Sequence, residues 1–337
     1  MGEIAWSNTW SLPSTSSSTS EDDGAAGAGP GLTATTDADR SAVPAPDTLP
    51  QRVTRTARLV HPFPSILDGL VVAVVALVAG GGATTAVVLG ASMTLLQFSI
   101  GTLNDIVDAP RDAGLKPDKP IPAGLVGLRS ARVVAAGFAV AGLVLALTGG
   151  PALVAVAGLV LAIGAWYDLR AKGTTLSWLP LAVGIPLLPV YGWYGATGEL
   201  PGMFLVIIPA AANAGTALAI ANAIVDMERD EAAGVGSIAL ALGAGRAAGL
   251  VIVLHTVVVL LALATAVALG APTGWVAAVL VAAAVPLGGA ILGLVAALRE
   301  GTGWRELAWE IQAVGTGLLA VAWLGALSAS AGTPLAG

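Results

Sequence analysis

Two nine-residue stretches carry the residue types that can do chemistry. Residues 104–112 read NDIVDAPRD and residues 222–230 read NAIVDMERD, identical at six of nine positions. Asn104 pairs with Asn222, Asp108 with Asp226 and Asp112 with Asp230, and Asp105 is extra to the first copy. At about 100° per residue, Asp105, Asp108 and Asp112 fall within about 60° of one another on a helix. Asp226 and Asp230 form an i,i+4 pair, with Asn222 one turn earlier. Glu228 points about 160° away from Asp226 on the same helix. Gln97 and Gly101 extend a polar, small-residue stripe below the first cluster. Pro110 cannot continue a regular helix, so the first helix is expected to end or kink there.

Clustered carboxylates repel one another and are costly at a membrane interface unless paired or coordinated. Hard oxygen ligands suit Mg²⁺, which a few carboxylates commonly hold together with substrate phosphates. Arg111, Lys116, Lys119, Arg170, Lys172 and Arg229 are expected in the same loops. Carboxylates, Mg²⁺ and basic side chains together can hold a diphosphate and stabilise it as a leaving group. The plainer reading is that the aspartates decorate helix ends and pair with those cations. Two matched clusters favour the functional reading.

The elements that position these motifs are membrane helices. The 337 residues are 56% hydrophobic and only 11% charged, with mean hydropathy +0.85. A typical soluble domain has about 25% charged residues. Runs near 20 apolar residues fit a bilayer. They are read at 65–81, 83–107, 129–148, 151–168, 176–195, 203–227, 247–269, 274–298 and 307–329. The fold expected is all-α with nine transmembrane helices, or eight if the weak break at Gly80–Gly82 is discounted. In the nine-helix arrangement all fifteen Lys and Arg fall on one side, and the only loop acid opposite is Glu199. The positive-inside rule then places the N-terminus and these loops in the cytoplasm and the C-terminus outside a cell membrane.

Residues 1–50 are rich in Ser, Thr, Asp, Gly, Ala and Pro and lack apolar periodicity. They are expected to be a disordered cytoplasmic tail ahead of a membrane domain at 51–335. The tail has no basic segment followed by an apolar run, so it is not a secretory signal. Cysteine is absent, which excludes disulfides, thiolate metal sites and Cys nucleophiles. No basic arm or reader motif accompanies the pI of 4.8, so nucleic acid is not an expected partner. Nothing points to a protein partner, and the lipid bilayer is the expected surroundings.

At the paired motifs the sequence resembles the UbiA-type intramembrane prenyltransferases. That family's N-D-x-x-D-x-x-x-D on its second helix is met by Asn104, Asp105, Asp108 and Asp112, and its D-x-x-x-D on the sixth by Asp226 and Asp230. DAGLKPDKPIPAG resembles the family loop before its third helix, with Lys119 where an Arg is usual. WYDLRAKG at 166–173 resembles its Tyr-plus-basic loop, and DEAAGVGSIALALG at 230–243 the stretch after its second Asp motif. The resemblance covers about residues 55–330.

It implies nine helices around a central cavity open to the bilayer, Mg²⁺ between the two motifs, and transfer of a prenyl group from a polyprenyl diphosphate. The acceptor implied is a small molecule, often aromatic or a quinone precursor. Asp105, Asp108, Asp226 and Asp230 are then Mg²⁺ ligands, with Asp112 and Asn104 as ligands or their partners. Asn222 matches Asn104 by repeat alone. Lys116, Lys119, Arg170 and Lys172 become the diphosphate cations, although each also fits a simple positive-inside charge. Lys119 keeps the charge of the usual Arg but loses its bidentate phosphate geometry.

Tyr167 and Asp168 are candidates to orient an acceptor or polarise its hydroxyl. Trp166 with Tyr167 equally reads as an interfacial aromatic anchor, as do Tyr191, Trp193 and Tyr194. His61 and His255 read as structural, and Asn213 as a bond between helices. Two other outcomes fit the same motifs: terpene cyclisation without an acceptor, or transfer of another diphosphate-activated group. A phosphoribosyl transfer is disfavoured because no His-Pro follows the first motif. A secondary transporter would need access from both sides, whereas these polar motifs sit at one face.

Overall fold

The computed structural model describes residues 49–299 and 302–330. Helices carry nearly all of it, and no strand occurs among the described residues. In chain order they are α1 (Leu49–Ala57), α2 (Pro62–Val78), α3 (Ala83–Leu115), α4 (Leu128–Ala146) and α5 (Gly150–Trp166). Then come α6 (Leu179–Gly184), α7 (Leu187–Thr197), α8 (Phe204–Val225), α9 (Met227–Ala232) and α10 (Ile238–Leu242). The chain ends in α11 (Ala244–Ala268), α12 (Thr273–Leu298) and α13 (Thr302–Ser330). Residues 1–48 of the expected tail lie outside the described residues, while Leu49 and Pro50 open α1.

Among the described residues seven helical stretches are long and apolar enough to cross a membrane, and an eighth if the bent pair Thr54–Val60 and Pro62–Val78 counts as one. The chain is thus a multi-pass membrane protein. One of the seven, Leu128–Ala171, is interrupted where Gly150 takes φ +83°. Only glycine adopts that backbone without strain.

Helix breaks follow the punctuating residues. Pro186, which has no N–H to give, separates α6 from α7 inside what the sequence reads as one segment. Pro110 behaves otherwise: α3 runs through it for 33 residues to Leu115, so the expected kink or end is not there. The long helix keeps all three aspartates of the first motif on one rigid element.

Close helix approach depends on small residues. A Cβ on Gly69 would lie 2.7 Å from the Gly90 carbonyl, and one on Gly90 would lie 2.8 Å from that of Gly69. These two glycines let α2 and α3 touch backbone to backbone. Helix α13 packs on both α8 and α2, which brings the last described helix against the first apolar one.

Tyr191 and Trp193 are core residues rather than interfacial anchors. Tyr191 is fully buried with its hydroxyl 2.7 Å from Ser92 Oγ, and Trp193 stacks edge-on with Phe204. Asn213 donates to the Pro209 carbonyl of its own helix, not to a neighbour. His255 is buried as expected, against the Val251 carbonyl.

Candidate active site

The first motif lies on the buried face of α3. Asp105, Asp108 and Asp112 are 3%, 8% and 2% exposed. Buried carboxylates persist only when paired, and all three lie in ion pairs. After α3 the chain turns back through Pro117 and Pro120, with Lys119 N donating to the Lys116 carbonyl. The turn brings Lys119 Nζ to 2.8 Å from Asp105 Oδ1 and 2.7 Å from Asp112 Oδ2. Lys172 Nζ donates to Asp108 Oδ2 at 2.5 Å, and Arg111 reaches Asp108 Oδ1 at 3.3 Å. Burial alone would lower the Lys119 ammonium's pKa, but its two aspartates outweigh that and hold it above the ordinary lysine range.

His61, read as structural, sits at this site. Its Nε2 is 3.0 Å from Asp105 Oδ1. Its backbone, at φ 48° and ψ 63°, is the only left-handed non-glycine conformation among the described residues. Such strain persists only where the surroundings enforce it. Here Pro62 starts α2 directly after, and Gly101 of α3 leaves room: a Cβ there would meet His61 Cβ at 3.1 Å.

At the end of α5 the backbone widens into a π turn over Tyr167–Ala171, closed by Lys172 N on the Tyr167 carbonyl at 2.9 Å. Such turns are frequent at functional sites. Asp168 Oδ1 accepts from Asn104 Nδ2 at 2.7 Å, while its buried Oδ2 has no partner among the described residues. Lys172 Nζ stands 5.9 Å from the Tyr167 ring centre. Arg170 diverges. It is exposed and donates to the Leu169 carbonyl.

The second motif straddles a helix junction. Helix α8 ends at Val225, Asp226 takes φ −92° and ψ 4°, and α9 follows. The Asp230 N–H still bonds the Asp226 carbonyl at 2.9 Å, so the i,i+4 relationship survives the break. Arg229 Nη1 lies 2.5 Å from Asp226 Oδ1 on a well-exposed edge, where such a pair adds little stability. Burial, then the nearby Asp226 charge, raises the Asp230 carboxyl above the usual aspartate range. Burial lowers the Lys116 ammonium, and Asp226 opposes that in part.

Both motifs line one cavity of about 600 Å³. Asn104, Asp108, Asp112, Lys116, Lys119, Tyr167, Asp168, Lys172, Asn222, Asp226 and Asp230 all reach it. Of the residues singled out by sequence, Asp105 and Arg170 do not. Asp105 is covered by Lys119 and His61. The cavity also takes in Gln97 and Gly101 of the polar stripe below the first cluster, and His61, Glu306, Trp309 and Glu310, which sequence reasoning had not placed in a site. Gln97 donates to Asp68 Oδ2 of α2 at 2.8 Å.

Among the described residues no three His, Asp or Glu side chains are grouped as a ready metal cage. The cations inserted between the aspartates account for this. Mg²⁺ commonly takes one or two carboxylates plus substrate phosphates. Two separate aspartate pairs across a cavity large enough for a diphosphate therefore fit that ion.

A digeranylgeranylglyceryl phosphate synthase from Methanopyrus kandleri is 34% identical over 119 residues. The alignment covers 35% of this chain and 44% of that protein. A UbiA homolog from Aeropyrum pernix K1 superposes with TM-score 0.62 at 22% identity, covering 76% of this chain and 96% of the other. A UbiA homolog from Archaeoglobus fulgidus bound to GPP and Mg²⁺ gives 0.56 at 18%, covering 79% and 99%. The model of the UbiA prenyltransferase family matches residues 69–300, more than half of the chain, and the protein belongs to that family.

Proposed function

We propose that this protein is a Mg²⁺-dependent prenyltransferase. It takes the prenyl group of a polyprenyl diphosphate, joins it to a small acceptor and releases diphosphate. The observation that carries the reading is that both aspartate motifs and Lys116, Lys119 and Lys172 line one cavity.

Asp108, Asp112, Asp226 and Asp230 are the side chains that would ligate the ion. When bound, Mg²⁺ neutralises charge on the departing diphosphate. Lys172 and Lys119 pair with Asp108 and Asp112; diphosphate oxygens would compete for the same ammonium groups, leaving those carboxylates to hold the ion. Asp105 stays beneath as a positioning residue that holds Lys119 and His61. Lys116, in no ion pair among the described residues, meets the diphosphate directly. Departure of the diphosphate leaves an allylic cation, and the apolar helices keep water from it. Tyr167 and Asp168 face the reacting end, where Asp168 Oδ2 can accept a proton or a hydrogen bond from the acceptor.

In the bilayer the chain crosses nine times, the break at Gly150 dividing Leu128–Ala171 into two spans. The diphosphate mouth faces the cytoplasm, with the N-terminus on that side and the C-terminus outside, and the prenyl tail lies toward lipid. Support for the orientation is the one-sided placement of Lys and Arg.

The test is diphosphate release from a prenyl diphosphate by purified protein in lipid, with and without acceptors. Release with Mg²⁺ and none in excess chelator is the expected result. Undiminished turnover in chelator would refute the metal role.

A further inference from the structure

The cavity has two chemically different walls. Every Lys and Arg lining it belongs to α3, the turn after α3, the end of the π turn or α9: Arg111, Lys116, Lys119, Lys172 and Arg229. The wall from α13 presents Glu306, Trp309 and Glu310 instead. Glu306 and Glu310 are one helical turn apart on one face. Neither is in an ion pair among the described residues. Arg305, beside them in sequence, does not neutralise them. It is 4% exposed and turned to Glu228 at 2.5 Å.

Two residues lining this cavity carry a buried polar atom with neither a hydrogen bond nor an ion pair among the described residues. The Trp309 indole N–H is buried without a hydrogen-bond partner among the described residues. Asp168, 5% exposed, has Oδ2 unpartnered while Oδ1 is held by Asn104. A buried donor or acceptor left unpaired is costly, so such atoms mark where a ligand gains hydrogen bonds. The Trp309 ring also meets Phe63 edge-on, with centroids 6.4 Å apart, which gives an apolar surface beside the polar atoms.

We propose that the acceptor docks on α13 and is uncharged there: a hydroxyl-bearing compound with no carboxylate or phosphate at that end. Hydroxyls donate to Glu306, Glu310 and Asp168, and an acceptor oxygen takes the Trp309 N–H. An anionic group would lie beside two carboxylates that no cation offsets, and like charges brought together cost several kcal/mol. The cations on the opposite wall are committed to aspartates and diphosphate. This separates the chain from its Methanopyrus relative, whose name specifies a glyceryl phosphate. The inference rests on the prenyl-transfer reading above.

The experiment compares hydroquinone with 4-hydroxybenzoate, which share a phenol ring and differ in a carboxylate. The full-length chain in lipid is supplied with Mg²⁺ and geranyl or geranylgeranyl diphosphate, and Mg²⁺-dependent binding of the prenyl diphosphate is measured separately without acceptor. Hydroquinone is expected to show a kcat/KM at least about tenfold higher. Glu306→Gln with Glu310→Gln should narrow that ratio, and Glu306→Lys with Glu310→Lys should narrow it further, through KM for the carboxylate acceptor. Equal or better use of 4-hydroxybenzoate by the wild type overturns the proposal, as does a ratio that neither double variant moves. No product from either acceptor, with prenyl diphosphate binding intact, also overturns it. Absence of Mg²⁺-dependent prenyl diphosphate binding would instead bring down the enzymatic reading beneath it.

Discussion

Glu228 turns away from the cavity and places its carboxylate 2.5 Å from the guanidinium of Arg305, a buried side chain on α13. The two residues clamp the α8–α9 junction to the last helix, with Arg305 also facing the Ile224 carbonyl at 3.5 Å. The helical spacing rightly directs Glu228 away from Asp226, but it suggests a bystander. Removing the carboxylate leaves a buried cation short of its partner, so Glu228→Ala should destabilise by about 1–3 kcal/mol. Glu228→Gln should cost less, because the amide oxygen still accepts. Thermal unfolding in lipid reads the loss, and turnover per folded molecule should stay near wild type for both. Asp226→Asn should do the reverse, with near-normal unfolding and most turnover gone. A stable but inactive Glu228→Gln would mean that the wrong face was assigned to the site.

Lys119 bridges Asp105 and Asp112 and lines the cavity, so it holds the fold and, in the proposed reaction, the diphosphate. Lys119→Met should lower kcat/KM for prenyl diphosphate by about 10²-fold or more, as loss of a charge-assisted phosphate contact does. It should also lower the unfolding temperature, since two buried carboxylates lose their cation. Lys119→Arg should keep both activity and stability, because the guanidinium can span the same two carboxylates. Methionine and arginine variants of equal activity would exclude Lys119 from diphosphate binding.

The aspartate motifs were legible because a near-repeat of charged residues inside apolar runs has few explanations other than a site. What escaped was set by tertiary contact. His61 lies 44 residues before Asp105, and only the α2–α3 packing at Gly101 brings them together. Asp68 was hidden in an apolar run, and its partner Gln97 comes from the next helix. Glu306 fell before the apolar run at 307–329, yet α13 begins at Thr302 and carries it into the cavity. Arg170 and Lys172 are two residues apart, and the π turn, invisible to a helical-wheel argument, sends only Lys172 inward.

Asp230 gives the proposed divalent-ion site a pH signature. Its carboxyl holds a proton above the usual aspartate range, through burial and then Asp226. An acid with a raised folded pKa favours the folded state when protonated, and that contribution fades as pH rises through the raised value. Mg²⁺ requires the carboxylate, so the ion must displace this proton in acid. The rise in unfolding temperature given by Mg²⁺ should therefore shrink as pH falls through that raised range. Asp230→Asn should flatten the dependence and weaken the Mg²⁺ effect at neutral pH. A wild-type Mg²⁺ effect independent of pH across the acid range would remove Asp230 from the ion site.

The orientation can be checked with the chain's own lack of cysteine as the background. Ala113 is exposed and directly follows Asp112, so Ala113→Cys reports on the diphosphate side. On the side expected to face out, the turn after α7 offers Gly198 and Glu199, both exposed. Gly198 sits at φ +77°, where a cysteine would be strained, so the reporter there is Glu199→Cys. An impermeant thiol reagent on intact cells should modify Glu199→Cys and spare Ala113→Cys until the membrane is opened. Prenyl diphosphate with Mg²⁺ should then slow labelling at Ala113→Cys, because that residue directly follows Asp112 of the proposed diphosphate site. Labelling of Ala113→Cys from outside intact cells would reverse the topology and carry the cytoplasmic site with it. Labelling from inside without ligand protection would keep the topology and move the diphosphate away from the first aspartate motif.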